Sequence, residues 1–273
     1  MNNIKFEKYH GCGNDFIIVE DEGLNYQAIT RQICNRCTGF GADGLIVART
    51  NPLRMMLYNQ DGSIANMCGN GIRCLAYYFV RHQHTKEKRF IIETLDGPKE
   101  VEVISKDPFR VKINMGSYSF DKEKMGFTSQ EDMLNYEISF QDNTYLTHSV
   151  FLGTYHTIVY MPKVEYGLYL RLGETIQNNP AFKYGTNVDF VEVIDRNTLK
   201  INTYEIGIGF TYACGTGASA SYVISKMFNK CSNPVKVILP YGELKISEEN
   251  KEIYMEGPAK YIGDGSFDLR NIK

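Results

Sequence analysis

The sequence lacks the features that would place it in a membrane or in a secreted protein. Its 273 residues contain no uncharged apolar run that approaches the roughly 18–20 residues needed to span a bilayer. The first residues, MNNIKFEKYHGCGNDF, contain no apolar h-region of the kind found in signal peptides. We therefore expect a cytoplasmic protein with no membrane partner.

The sequence also lacks an excess of charge of either sign. The chain has 30 basic and 32 acidic residues, which leaves a formal net charge of −2. A nearly balanced charge gives no electrostatic reason to expect nucleic acid as a partner. Hydrophobic residues make up 43% of the chain, which is enough for a sizeable core in one large domain or in two domains of ordinary size.

The sequence predicts neither a disulfide framework nor a metal site. Its seven cysteines are odd in number, and a long chain without a signal peptide is expected to keep them as reduced thiols. Cys34 and Cys37 have zinc or redox spacing, but no second C-x-x-C or H-x3–5-H motif accompanies them. The histidines are scattered, and only His82 and His84 lie close together. We expect no metal.

Residues 39–44 formally match the dinucleotide fingerprint G-x-G-x-x-G. That motif should follow a strand and open a helix. Here the preceding segment is not strand-like, and residues 45–48 have the pattern of a strand. We interpret the segment as a glycine-rich turn and expect no nucleotide.

Short β-like runs recur along the whole chain, separated by turn signals such as Asp-Gly. Two segments instead have apolar residues at helical spacing, one after Cys68 and one after Cys214. This repetition predicts an α+β fold with two similar lobes, each wrapping strands around a central helix. We place the lobe boundary near residues 117–124. The predicted strands are 16–19, 45–48, 55–58, 89–94, 100–104, 111–114, 158–161, 188–193, 235–239, 244–246 and 253–255.

Each predicted helix begins with Cys-Gly-x-Gly, in MCGNGIRC at residues 67–74 and in ACGTGA at 213–218. The first-turn N–H groups of a helix lack partners and carry the positive end of its dipole, so glycines there let a carboxylate reach the backbone. A cysteine at the same place should have a lowered pKa, because the dipole favours its thiolate. One such motif is weak evidence. Two of them, each heading the main apolar helix of its lobe, predict that Cys68 and Cys214 act as a pair.

A pair of thiols suits the inversion of a stereocentre. The reaction removes a proton from one face of a carbon and delivers another to the opposite face, so two residues on opposite sides of the substrate serve as thiolate base and thiol acid. The helix N-termini would hold the α-carboxylate and stabilise the charge of the carbanion. This chemistry requires no cofactor.

With these residues in view, the sequence resembles the diaminopimelate epimerase family over nearly its whole length. The family is pyridoxal-phosphate-independent and has two pseudo-symmetric lobes, each a mostly antiparallel, β-barrel-like sheet around a central helix. The resemblance implies an N-terminal lobe of residues 1–119 plus 261–273 that carries Cys68, and a C-terminal lobe of residues 120–260 that carries Cys214. The shared motifs are HGCGNDF at 10–16, GADG at 41–44, NQDGS at 59–63, CGNGIRC at 68–74, NVDF at 187–190, YE at 204–205 and ACGTG at 213–217.

The resemblance also implies roles for individual residues. It assigns Cys68 and Cys214 as the base and acid. The backbone that would hold the reacting carboxylate belongs to Gly69, Asn70, Gly215 and Thr216. The side chains that would bind the other polar groups of the substrate are those of Asn14, Asn59, Asn187 and Glu205. Two further matching residues, Asp43 and Arg73, are interpreted as structural supports.

Two segments depart from the family pattern. Where the family reads Tyr-Glu-Arg-Gly-x-Gly-Glu-Thr, residues 204–211 read YEIGIGFT. Ile206 thus replaces the arginine that clamps the distal carboxylate of diaminopimelate, and Phe210 replaces a glutamate. Thr154 replaces a substrate-binding asparagine of the family's Gly-Asn-Pro-His segment. An aliphatic side chain cannot substitute for a planar bidentate donor, so we predict weak turnover of diaminopimelate.

The departures predict a small-molecule amino-acid substrate without a distal carboxylate. Glu205 could pair with a basic or imidazole group, and the rings of Phe210, Tyr155 or Tyr212 could offer an aromatic face. Members of the family that racemise histidine exist, so L-histidine is the leading substrate. Lysine, ornithine and arginine fit less well, because aromatic substitutions favour a flat side chain.

Alternative functions stay open at this point. The first is an authentic diaminopimelate epimerase of lysine and peptidoglycan biosynthesis, with a relocated carboxylate clamp. The second is a cysteine hydrolase that uses Cys214 with His156 as base, and the third is a binding protein without catalysis. The oligomeric state is also open, with a homodimer as one option, and Cys12 has no assigned role beyond packing.

Overall fold

The computed structural model describes residues 3–272. The chain divides into two compact units, which we call unit 1 (Met1–Ile113 with Gly257–Lys273) and unit 2 (Asn114–Glu256). Both units combine a sheet with helices, so the α+β prediction is confirmed. The helices of the described residues are α1 Tyr26–Ile33, α2 Gly69–Arg81, α3 Lys122–Met125, α4 Leu170–Gln177 and α5 Gly215–Met227, with a 3-10 turn at Leu269–Asn271.

Unit 1 is a mixed sheet with strand order β18–β1–β2–β3–β4–β6–β7–β8, and β5 lies beside β4. The β2–β3 and β4–β6 pairs are parallel and the others are antiparallel. The C-terminal strand pairs with the first strand. The strands are β1 Asn3–Gly11, β2 Asn14–Glu20, β3 Gly44–Thr50, β4 Leu53–Asn59, β5 Ile64–Ala65, β6 Arg89–Thr94, β7 Gly97–Lys106, β8 Phe109–Gly116 and, after the nine strands of unit 2, β18 Lys260–Asp268.

Unit 2 has the strand order β9–β10–β11–β12–β13–β15–β16–β17, and β14 lies beside β13. The β11–β12 and β13–β15 pairs are parallel, and the others are antiparallel. The strands are β9 Tyr136–Phe140, β10 Asn143–Leu152, β11 Thr154–Tyr160, β12 Asn187–Asp195, β13 Thr198–Glu205, β14 Gly209–Thr211, β15 Val235–Leu239, β16 Gly242–Glu249 and β17 Glu252–Pro258.

The two units repeat one plan of strand pairing. In each, two antiparallel hairpins join through a parallel pair, and a 13-residue helix then connects to the next parallel strand. Helix α2 packs against β1 to β4 and β18, and α5 packs against β10 to β13 and β16. Most residues of both helices are buried, as expected for helices that the sheet of their own unit covers.

No helix among residues 3–272 is both long enough and apolar enough to cross a membrane.

Candidate active site

In unit 1, Cys68 is the N-cap residue of α2. Its backbone is extended, with φ −142° and ψ 121°, and its side chain does not cap the helix. Gly69 and Asn70 follow in the first turn, which contains no acidic side chain. The first turn of a helix offers backbone N–H groups to an anion. The structure therefore places Cys68, Gly69 and Asn70 where the sequence predicted them, at a helix N-terminus suited to a carboxylate.

Asn14, at the start of β2, lies beside the same helix end. Its Oδ1 atom is 3.7 Å from the Sγ atom of Cys68 and accepts a hydrogen bond from Nδ2 of Asn70 at 3.0 Å. Three predicted site residues of unit 1 thus meet at one carboxamide oxygen.

Asn59 makes different contacts. It ends β4, and its Nδ2 atom donates to Oγ of Ser63 at 3.0 Å within the turn that leads to β5. Its backbone N–H donates to the Ser63 carbonyl at 2.8 Å. These bonds hold the turn, and a contact of Asn59 with substrate stays a prediction.

Arg73 supports the helix end from within the core. Its side chain is fully buried, and Nε donates to the carbonyl of Pro258 at 3.0 Å. Its Nη2 atom lies 3.8 Å from Sγ of Cys12. A Cβ atom on Gly11 would be only 2.7 Å from Nη2, so glycine there makes room for the guanidinium. These contacts agree with structural roles for Arg73 and Cys12.

In unit 2, Cys214 is the N-cap residue of α5 and is 6% exposed. Unlike Cys68, it caps its helix: its Sγ atom accepts a hydrogen bond from the Gly217 N–H at 3.3 Å. Oγ1 of Thr216 lies 3.4 Å from the same sulfur. Gly215 and Thr216 form the start of the first turn, as the sequence predicted.

The expectation of a lowered pKa is wrong for Cys214. Burial raises the pKa of this thiol well above its ordinary value, and the nearby carboxylates of Glu205 and Asp189 raise it further. Hydrogen bonds from Thr216 and Gly217 act in the opposite direction but do not prevail. Desolvation and negative neighbours outweigh the helix end, so Cys214 is a thiol in this structure.

Glu205 ends β13 beside Cys214. Its Oε1 atom accepts a hydrogen bond from Oγ1 of Thr211 at 2.5 Å. Desolvation raises the pKa of the Glu205 carboxyl, although the hydrogen bond from Thr211 and the charge of His156 lower it. Among residues 3–272, no lysine or arginine forms an ion pair with Glu205. This carboxyl therefore lacks the cation that usually accompanies a desolvated carboxylate.

A buried network beneath the first turn of α5 was missed from the sequence. Asp189 is fully buried; its Oδ2 atom is 2.7 Å from Nδ1 of His156, and its Oδ1 atom accepts from Oγ1 of Thr203 at 2.7 Å. A Cβ atom on Gly217 would be 2.3 Å from Asp189 Oδ1. The available signal was Asp189 between the apolar residues Val188 and Phe190 of a predicted strand, because a buried carboxylate needs partners.

The same network bears on the hydrolase alternative. The Nδ1 atom of His156 contacts Asp189, and its Nε2 atom has no hydrogen-bond partner in the described chain. The Cys214 sulfur contacts Thr216 and Gly217 instead. No hydrogen bond between the described side chains joins Cys214 to His156, so the nucleophile–base pair that a cysteine hydrolase needs is not formed.

The positions that depart from the family lie at one edge of the unit 2 sheet. Thr154 begins β11 and Asn187 begins β12. These parallel strands start beside the end of β13, which Glu205 forms and Ile206 follows. Oδ1 of Asn187 accepts a hydrogen bond from the Ile206 N–H at 2.9 Å. Ile206 is 39% exposed and lies two residues before the more exposed Ile208.

The aromatic side chains predicted near the substrate are engaged with one another. The ring of Phe210 packs against Tyr204 and Phe190, with centroids 5.4 Å and 6.0 Å away. This gives Phe210 a packing role, and its contact with substrate stays a prediction. The other two are also stacked, Tyr155 on Tyr184 and Tyr212 on Tyr166.

No cluster of three or more metal-ligating side chains occurs among residues 3–272. The cysteines are thiols rather than disulfides.

Comparison with known proteins identifies the family. The model of the diaminopimelate epimerase family matches residues 6–120 and 148–262. The chain belongs to the diaminopimelate epimerase family. Proteins named diaminopimelate epimerase from Alkaliphilus metalliredigens and Clostridium perfringens are each 36% identical to it, over 97% of this chain and over 97% and 99% of their own lengths.

Solved structures share the fold. A probable proline racemase from Agrobacterium radiobacter superposes with a TM-score of 0.71 at 14% identity, covering 97% of this chain and 93% of that chain. A hydroxyproline epimerase from Agrobacterium vitis gives 0.69 at 11% identity, covering 98% and 93%. Membership of the diaminopimelate epimerase family makes this protein an isomerase of the racemase and epimerase class. Each segment that the family model matches contains one of the two N-cap cysteines.

Proposed function

We propose that this protein is a cofactor-independent amino-acid racemase that inverts the α-carbon of histidine, with Cys68 and Cys214 as its acid–base pair. The observation that carries the proposal is Glu205, a half-buried carboxyl next to Cys214. Desolvation raises its pKa, and it has no lysine or arginine partner among residues 3–272. It lies directly before Ile206, where the family has the arginine that clamps a distal carboxylate. The second carboxylate of a substrate such as diaminopimelate would lie near the Glu205 carboxylate with no arginine to bind it. A cationic side chain of the substrate would instead form an ion pair with Glu205.

The chemistry follows from the two helix ends. One thiolate takes the α-proton from one face of the substrate, and the other thiol gives its proton to the opposite face, which leaves the first as a thiol and the second as a thiolate. The first turns of α2 and α5 supply backbone N–H groups for the α-carboxylate and for the charge that develops on it. The reverse reaction exchanges the roles of the two cysteines.

The raised pKa of Cys214 explains how substrate would start the reaction. Burial, and after it the charges of Glu205 and Asp189, raise the pKa of Cys214 and keep it a thiol in this structure. An ammonium or imidazolium group bound beside Glu205 offsets this negative charge and lowers the pKa of Cys214. The thiol then releases its proton to solvent and becomes the base, while Cys68 begins as the acid.

Proton exchange at the α-carbon tests this proposal. The enzyme in deuterated water should exchange the α-proton of L-histidine and of D-histidine. It should exchange that of LL-diaminopimelate at least about a hundredfold more slowly, because a carboxylate without its partner costs several kcal/mol. A panel of lysine, ornithine and arginine on a chiral column ranks the other basic substrates. Turnover of diaminopimelate alone would overturn the histidine assignment.

An authentic diaminopimelate epimerase is the second candidate. The 36% identity to proteins of that name over nearly the full length favours it. It requires a different cationic or amide group to bind the distal carboxylate, since Ile206 offers only an aliphatic side chain. The same exchange assay separates the two candidates.

A further inference from the structure

We propose that Asp43 is a positioning residue that fixes the carboxamide of Asn14 with its oxygen towards Cys68, and thereby holds Cys68 as the thiol acid. The inference rests on the proposed function for the catalytic role of Cys68. It concerns unit 1 alone, and it gives Asp43, which the sequence marked only as a structural support, an effect on the chemistry.

The orientation of the Asn14 carboxamide follows from the chemistry of its neighbour. Nδ2 of Asn14 lies 2.6 Å from Oδ2 of Asp43. An ionised carboxylate only accepts hydrogen bonds, so the group that faces it must be the amide NH2. The oxygen of the same carboxamide therefore faces the other way, towards Sγ of Cys68 and Nδ2 of Asn70.

Asp43 is itself held in place from several directions. Nη2 of Arg36 pairs with Oδ1 of Asp43 at 2.7 Å and with Oδ1 of Asp15 at 2.7 Å. Lys8 pairs with Asp15 at 2.8 Å. The Asp43 N–H donates to the Asp15 carbonyl at 2.9 Å, and the Asp15 N–H donates to Oδ2 of Asp43 at 3.1 Å. The carboxylate that orients Asn14 is thus fixed by Arg36 and by the Asp15 N–H, while Lys8 holds the neighbouring Asp15.

An amide oxygen beside a cysteine sulfur favours the thiol over the thiolate. It accepts a hydrogen bond from a thiol, as at the 3.7 Å contact of Asn14 with Cys68, but it repels a thiolate. If the carboxamide turned round, its NH2 group would donate to sulfur and favour the thiolate instead. Asp43 prevents this rotation, because the turned amide would bring oxygen against a carboxylate. Cys68 is therefore a thiol in the free enzyme, as required in the direction in which Cys214 is the base.

Other titratable groups lie near the sulfur and must stay unchanged in a test. The thiol of Cys74, on the same helix, interacts electrostatically with Cys68 and also with Arg73, Cys12 and Asp15. A substitution confined to Asp43 leaves all of these in place.

Alkylation of Cys68 tests the proposal without any turnover. The rate at which iodoacetamide modifies Cys68 reports its thiolate fraction, and peptide mass spectrometry separates Cys68 from the other cysteines. In D43N the carboxylate becomes an amide that no longer dictates the orientation of Asn14. We expect the alkylation rate of Cys68 at pH 7 to rise about tenfold. In a plot of this rate against pH, the midpoint should lie about one pH unit lower than in the parent. If D43N does not fold, D43S removes the same carboxylate and should give the same rise.

A double-mutant cycle separates the orienting effect from the simple loss of a negative charge. In the N14A background there is no carboxamide to orient, so D43N should leave the alkylation rate of Cys68 unchanged. D96N is the matched control, because Asp96 is a similarly exposed carboxylate that pairs with Lys99, and it should have no effect. An unchanged rate in D43N, or an equal rise in the N14A background, overturns the proposal. Because the readout needs no substrate, failure of the histidine racemase assignment would be seen separately.

Discussion

Oδ1 of Asn187 accepts a hydrogen bond from the backbone N–H of Ile206, 2.9 Å away. The bond fixes the chain at the point where it leaves β13, and it does so without using the Ile206 side chain. The turn between β13 and β14 can therefore change the side chain at position 206 and keep its backbone. We therefore expect substitutions of the Ile206 side chain to have little effect on the fold.

Replacement of Ile206 by arginine is the first prediction. I206R should raise kcat/KM for LL-diaminopimelate at least about tenfold, because a bidentate donor for the distal carboxylate returns beside Glu205. It should lower kcat/KM for histidine, because the new guanidinium repels the imidazolium of that substrate. The measurement is the ratio of the two kcat/KM values. I208R adds the same charge two residues further along, at a side chain that is 72% exposed, and should leave the ratio unchanged. Equal ratios in I206R and the parent would contradict the assigned role.

The two N-cap cysteines give the second prediction. C68A and C214A should each lower racemisation by at least about a hundredfold, since each removes one of the two proton-transfer groups. Circular dichroism checks that the fold is kept. C37A removes an exposed thiol and should retain full activity. A C68A enzyme with near-parental racemisation would exclude the two-base mechanism.

Gly217 gives the third prediction. An alanine Cβ atom would lie 2.3 Å from Oδ1 of Asp189 and 2.8 Å from Oγ1 of Thr203, so the first turn of α5 must move. We expect G217A to lower the free energy of unfolding by about 1–3 kcal/mol and to slow racemisation. Thermal unfolding and kcat measure the two effects. G263A is the control: Gly263 lies on β18, where a Cβ atom meets nothing within 4 Å.

Glu205 gives a prediction about stability and pH. Its pKa is raised in the folded protein, so the folded state binds the Glu205 proton more tightly than the unfolded state does. This contribution to stability is fully present below the ordinary glutamate pKa and is lost as pH rises through the raised pKa. E205Q removes this titration. The free energy of unfolding of E205Q should therefore equal that of the parent in acid and exceed it by about 1–2 kcal/mol near neutral pH.

Urea unfolding at several pH values from 4 to 8 measures this difference. E205Q should lose histidine racemisation while it gains stability, the pattern expected when a functional charge is kept at a structural cost. E137Q alters an exposed glutamate on β9 and should change neither. A parental protein that gains stability relative to E205Q as pH rises would contradict the direction of the Glu205 shift.

The sequence predicted the parts of the fold with strong local patterns. Every predicted strand overlaps an observed one, and both cysteine-headed helices begin where the Cys-Gly-x-Gly motifs placed them. The missed strands include β1, β10 and β13, whose sequences mix polar and charged residues among the apolar ones. Helices α1, α3 and α4 were missed because they have at most eight residues, too few for a clear period.

In the candidate site too, the features set by local sequence were predicted and those set by strand pairing were not. Motifs located Cys68, Cys214 and their glycines, because helix N-termini are local features of a chain. The pKa of Cys214 was misjudged because it depends on burial and on the charges of Glu205 and Asp189, both of which arise only when β12 and β13 pair. The Asp189–His156 contact joins β12 to β11, so it could not be inferred from either segment alone.

The repeated pairing plan has a consequence for how this protein diverged. A chain built from two copies of one plan inherits its acid–base groups in duplicate, and each copy is then free to accumulate its own changes. Thr154, Ile206 and Phe210 all fall in unit 2, while the Asn14, Asn59 and Cys68 motifs of unit 1 keep the family pattern. If these three positions set the substrate, as proposed, the change of specificity is confined to one of the two copies of the pairing plan.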